Sequence, residues 1–161
     1  MVIDEFRGRW YFLSNFSECK IEFQGITYPT VEHYYVSMKS NSDQMINGKY
    51  YTSADFREMI AKIKEPAIVK KIGQQIKVRK DWPEKKLEFM NFAIREKFKD
   101  ENLAEKLKST GNSKLVEVNL WKDTFWGVFN GKGENNLGKI LMKVRDEING
   151  IQKTGLEEIL K

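Results

Sequence analysis

Apolar residues recur along this chain at two spacings, and the spacings predict its elements. Ile21-Glu22-Phe23 and Ile26-Thr27-Tyr28 alternate apolar and polar about Gln24-Gly25, which predicts a short hairpin. The whole stretch of the first thirty residues reads as β structure. Thr30 then suits a helix N-cap, with Val31, Tyr34, Tyr35 and Met38 at i, i+3, i+4 and i+7 of a helix running to about Lys39. Ser53 is the expected cap of a segment with Phe56, Ile60 and Ile63 on one face. Pro66 fits the first turn of a helix carrying Ile68, Ile72 and Ile76. Pro83 opens a long helix with Leu87, Met90, Ile94 and Phe98 inward, and a shorter one with Leu103 and Leu107 stops at Gly111. Leu115 to Val118 is strand-like. Gly127 to Asn135 is a glycine-containing loop. A last helix turns Leu137, Ile140, Leu141, Val144 and Ile148 inward and ends at Gly150. These elements predict an α+β fold: a mostly helical single domain over residues 1–161 with a small N-terminal β-sheet.

Composition narrows the chemistry. The 161 residues include one cysteine, Cys19, and one histidine, His33. An intrachain disulfide and a cysteine-based zinc site are excluded, and most imidazole-dependent metal chemistry goes with them. No metal or cofactor is expected. No basic stretch leads into an apolar run at the start, and no segment approaches the roughly 18 apolar residues of a membrane span, so a cytoplasmic location without a membrane partner is expected. The net charge of +5 favours phosphorylated or nucleic-acid partners.

Three features are candidates for chemistry. Glu32 falls in the first turn of the Thr30 helix, and Lys39 lies seven residues on, on the same face, with Tyr35 between them. The carboxylate also suits that helix terminus as a dipole partner. Next, the loop 127–135 combines close-approach glycines with Lys132 and a following helix N-terminus, a combination that favours an anion. It ends in no Lys-Ser/Thr pair and is not a P-loop. Finally, Trp10, Trp82, Trp121 and Trp126 lie mostly outside the helix stripes, and Trp121 to Trp126 sets two indoles around Asp123. Aromatic faces of this kind stack on bases. A serine triad is rejected, because His33 sits beside Glu32 with no nucleophile elbow around any serine.

In order, Phe12-Leu13-Ser14-Asn15-Phe16, Tyr28-Pro29-Thr30-Val31-Glu32-His33-Tyr34, Lys39, Trp82 ahead of the helix with Met90 and Lys97-Phe98, Lys114-Leu115-Val116-Glu117, Asp123-Thr124-Phe125-Trp126-Gly127 and Gly133-Glu134-Asn135-Asn136-Leu137-Gly138-Lys139-Ile140-Leu141-Met142-Lys143-Val144-Arg145 form a set of blocks. In sequence and spacing these blocks resemble the NADAR family, also called YbiA-like, from about residue 6 to residue 147. The tail from about residue 150, with Leu156, Ile159 and Leu160, lies outside the resemblance and is read as a packing or dimer helix.

The resemblance implies an N-glycosidase that cleaves a bond between ribose C1′ and nitrogen. One branch of the family acts on amino-ribosyl-uracil phosphate intermediates of riboflavin synthesis. Another reverses ADP-ribosylation of guanine in DNA or nucleotides, often beside a DNA ADP-ribosyltransferase toxin. By position, Glu32 matches the catalytic carboxylate and Asp123 a second acid or ribose-positioning group. Asn15, Lys39, Trp82, Trp126, Gly127 and Asn135 match substrate-binding positions, with Trp82 and Trp126 expected to sandwich the base or ribose. Some relatives carry an acid just after the Trp-Gly pair, where this chain has Val128 and Phe129. The alternative is a non-catalytic module that binds ADP-ribose or nucleotides. A general nucleic-acid binder is a third reading, disfavoured by the modest charge.

Overall fold

In the computed structural model, residues 1–150 are described. The expected tail helix over 151–161 lies outside the described residues.

The structure is α+β, with six α-helices, one 3-10 helix and three two-stranded sheets among the described residues. The hairpin forms as predicted: β2 (Ile21–Phe23) pairs antiparallel with β3 (Ile26–Tyr28). The rest of the first thirty residues departs from the β expectation. Gly8–Leu13 is a 3-10 helix that buries Phe12 and Leu13. The short β1 (Val2–Ile3) finds its partner only at β6 (Lys114–Leu115), in a parallel pair. No local pattern reveals a pairing over that separation. A further hairpin, β4 (Gln44–Ile46) with β5 (Lys49–Tyr51), was not expected. Its Asn47-Gly48 turn is the sequence signal that marks it.

α1 (Val31–Met38) lies at the centre and packs on α2 (Ser53–Lys62), α3 (Pro66–Gly73) and α4 (Trp82–Lys97). Thr30 caps it, its hydroxyl oxygen accepting from the His33 amide at 3.1 Å. The His33 ring is fully buried. Its Nε2 donates to the Ile63 carbonyl at 2.7 Å, so Nδ1 is the acceptor for the Thr30 hydroxyl, also at 2.7 Å. Both nitrogens are therefore occupied in holding the start of α1, and burial lowers the ring's pKa. The cap of α2 is Thr52 rather than Ser53.

α3 turns Val69 inward and leaves Ile68 exposed, one position off the expected stripe. It sits unusually close to α1: a Cβ at Gly73 would lie 2.8 Å from a Val36 methyl. On α4, Met90, Ala93, Ile94 and Lys97 are inward, while Leu87 is exposed. α5 (Glu101–Lys108) and α6 (Asn136–Ile148) complete the larger core, in which Leu115, Leu137, Leu141 and Val144 join Tyr34, Met90 and Ile94. A smaller core of Val36, Phe56, Ile60 and Val69 joins α1 to α2 and α3. No helix among the described residues is long and apolar enough to cross a membrane.

Candidate active site

Where α1, α3 and α4 meet the loops before β2 and after β6, they enclose a cavity of about 570 Å³. The first turn of α1 supplies Glu32, and the next turns supply Tyr35 and Lys39. The Glu32 amide donates to the Asn15 carbonyl at 3.1 Å, which ties the Ser14-Asn15-Phe16 wall to the carboxylate. α3 contributes Lys70, Lys71 and, just past its end, Gln74. The loop after β6 contributes Glu117, Trp121, Asp123 and Trp126, and Met90 and Leu137 add apolar floor.

Charge is arranged unevenly in this space. Burial raises the pKa of Glu32 to about 7, against the pull of Lys70 and Lys39 and with added repulsion from Asp123. Burial also raises Glu117 to about 7, helped by Asp123 and opposed by Lys70 and Lys97. Burial lowers the Lys39 ammonium, and Glu32 partly offsets that shift. Lys39 Nζ donates to the Gly73 carbonyl at 3.4 Å and lies over the rings of Tyr35 and Trp82. Lys70 Nζ stands 4.5 Å from the centre of the exposed Trp121 ring. Asp123 is fixed from within its own loop. Its Oδ1 accepts from the amides of Phe125 (3.0 Å) and Trp126 (2.8 Å), and its backbone is pinned by the Asn119 side chain.

Of the residues expected from sequence, Asn15, Glu32, Lys39, Asp123 and Trp126 converge on the cavity. Trp82, Gly127 and Asn135 are not among its lining residues, and each has a structural contact instead. Tyr35 lies between the two indoles, 4.9 Å from Trp82 and 5.6 Å from Trp126, so Trp82 backs the wall and the expected sandwich does not form. The Asn135 side chain bonds the Glu117 amide and the Leu115 carbonyl, both at 2.9 Å. At Gly127 a Cβ would stand 2.2 Å from the Glu117 carbonyl oxygen, so only glycine admits this approach. The glycine loop and Lys132 likewise do not line the cavity.

Sequence reasoning missed Lys70, Lys71 and Gln74, although the adjacent lysines in the last turn of a short helix were visible. Glu117 lies in the Lys114–Glu117 block of the resemblance, which implies no role for it. Among the described residues no group of three His, Cys, Asp or Glu side chains is placed to hold a metal ion.

The family model for the NADAR domain matches residues 5–149. The chain belongs to the NADAR family. Among similar proteins, this NADAR chain is 32% identical over 139 residues to the N-glycosidase YbiA of Escherichia coli K12, covering 84% of this chain and 79% of that protein. It is 36% identical over 148 residues to an N-glycosidase of Nostoc punctiforme, covering 90% of each. It is 34% identical over 141 residues to a riboflavin biosynthesis protein of Vibrio vulnificus, covering 85% of this chain and spanning only 35% of that longer protein. The NMR structure of E. coli YbiA superposes with a TM-score of 0.74 at 29% identity, over 96% of this chain and 88% of that one. The NADAR fold is thus common to both.

Proposed function

We propose that this NADAR chain is an N-glycosidase that hydrolyses the C1′–N bond of a phosphorylated ribosyl amine, with amino-ribosyl-uracil phosphate as the substrate class. The observation that carries the reading is the placement of a carboxyl with a pKa of about 7, Glu32, in one cavity with Lys39, Lys70 and Lys71. Cleavage of a ribosyl C–N bond builds positive charge at C1′ and the ring oxygen, and an adjacent carboxylate stabilises it. A carboxylate titrating near neutral pH also accepts a proton from the attacking water efficiently. The ammonium groups suit a 5′-phosphate at the other end of the ribose. Asp123 is the group for the ribose hydroxyls, Asn15 for a polar edge of the base, and Trp126 with Trp121 for its face. The names of the relatives, N-glycosidase and riboflavin biosynthesis protein, agree with this assignment.

One observation favours a second substrate, ADP-ribosylated guanine. A neighbouring open groove of about 680 Å³, lined by Tyr11, Phe16, Thr30, Lys62, Lys64 and Pro66, shares Phe16 with the first cavity. It offers room for the second nucleoside of such a ligand, and this reading implies a DNA ADP-ribosyltransferase as functional partner.

The test is a parallel assay of amino-ribosyl-uracil phosphate and ADP-ribosylated guanine, as nucleotide and in DNA, with wild type and Glu32→Gln. The expected result is release of the aminouracil by wild type, with binding kept and turnover lost in Glu32→Gln. Saturable binding without released base would make the domain a reader, and full turnover by Glu32→Gln would remove that residue from the mechanism.

A further inference from the structure

A nitrogen bound to an aromatic ring leaves poorly as an anion, so the proposed reaction needs a proton donor as well as the Glu32 base. We propose that Glu117 is that donor, and that Gly127 and Asn135 are the positioning residues that hold it in the cavity. The inference rests on the hydrolase reading above.

Three observations converge on Glu117. Its side chain lines the cavity, and its Oε2 is buried with no hydrogen-bond partner among the described residues. A buried oxygen left unpaired costs stability, so a carboxyl kept this way needs a reason beyond folding. Next, its backbone is clamped on both sides. Its amide donates to Asn135 Oδ1 at 2.9 Å, and its carbonyl accepts from the Val128 amide at 2.7 Å. Last, the start of the 127–135 loop presses against it: a Cβ on Gly127 would stand 2.9 Å from Glu117 Cγ. The two residues expected from sequence to touch substrate thus act through this carboxyl.

Burial, more than the surrounding charges, lets part of the Glu117 population hold a proton near neutral pH. Asp123 disfavours the ionised form, Lys70 and Lys97 favour it, and burial outweighs both lysines. Lys97 is itself fully buried, its Nζ donating to the Ser14 carbonyl (2.9 Å) and Ser17 Oγ (2.8 Å), and burial lowers its pKa to about 8. Glu32 faces Lys70, Lys39 and Asp123. In the reaction the C1′–N electron pair goes to nitrogen, which takes the Glu117 proton and departs as a neutral amine. The water oxygen bonds to C1′, and its proton passes to the Glu32 carboxylate. Glu117 is left ionised and Glu32 protonated, and exchange with solvent restores both.

The experiment is a pH profile of Glu117→Gln and Glu117→Asp beside wild type on amino-ribosyl-uracil phosphate, with thermal melts of each. Glu117→Gln keeps the shape and loses the proton. It should lose roughly 10²-fold or more in kcat with KM near wild type, and should lack the alkaline limb. Glu117→Asp should retain that limb at reduced rate, a rescue that a structural role does not predict. If the glutamine variant keeps both the limb and kcat within a few fold, Glu117 is not the donor and the hydrolase reading stands. If wild type releases base from neither this substrate nor ADP-ribosylated guanine, the hydrolase reading fails first and takes this proposal with it.

Discussion

The Trp126 indole N–H donates to the Tyr35 hydroxyl at 2.9 Å, joining the wall of α1 to the loop after β6. The rings also meet edge to face at 85°. Tyr35→Phe keeps the ring packing and leaves the indole N–H without its acceptor. The expected cost is about 1 kcal/mol of stability. KM should rise several fold because Trp126 loses its fixed orientation. Urea melts and steady-state kinetics measure the two effects separately.

The carboxyl pKa of Glu32 fixes the sign of a stability change. Its folded value of about 7 lies above the ordinary carboxylate range, so the native state binds more protons than the unfolded chain between the two values. The stabilisation from this proton is fully present below the unfolded pKa and is lost as pH rises through about 7. Glu32→Gln should therefore melt higher than wild type at pH 8, and the difference should shrink toward zero as pH falls to about 4. Differential scanning calorimetry across that range checks it. An equal gap at every pH would contradict the shifted carboxyl.

Lys70 is the strongest charge holding the Glu32 pKa down. Lys70→Met should raise that pKa further and move the acidic limb of kcat/KM to higher pH. It should also raise KM for a phosphorylated substrate by about 10-fold or more, with less effect on the dephosphorylated analogue. A KM unchanged by the substitution would place the phosphate elsewhere.

At Gly127 a methyl group has no space: the carbonyl oxygen of Glu117 and the Asn119 side-chain Nδ2, at 2.8 Å, both crowd it. Gly127→Ala should cost about 1–3 kcal/mol, the range for an overpacked site. Activity should fall more than Tm suggests, since the backbone that moves carries Glu117. Thermal denaturation with kcat measured well below Tm tests both.

Local elements were readable where chemistry and spacing act within a few residues. Thr30 as cap, the β2–β3 hairpin and the α6 stripe all formed as expected, because caps, turns and periodicity are short-range effects. The first thirty residues misled. Short apolar runs such as Trp10-Tyr11-Phe12-Leu13 do not distinguish strand from 3-10 turn, and burial of Phe12 and Leu13 decided it. At the site, Glu32 and Lys39 were legible because one helix carries both. The face of Trp82 was not, since its choice between cavity and core depends on Tyr35 and Phe89, the latter stacked at 5.9 Å.

The sequence by itself determined the family, the helical scaffold, and the placing of an acid in the first turn of α1, since each is written in contiguous residues or ordered blocks. The tertiary structure alone decided which carboxyls share a cavity, that α3 sets its lysines in the same cavity, and that Asn135 and Gly127 pack against Glu117. Those outcomes depend on how distant segments pack, and burial, which shifts the Glu32 and Glu117 pKa values, exists only once they have packed.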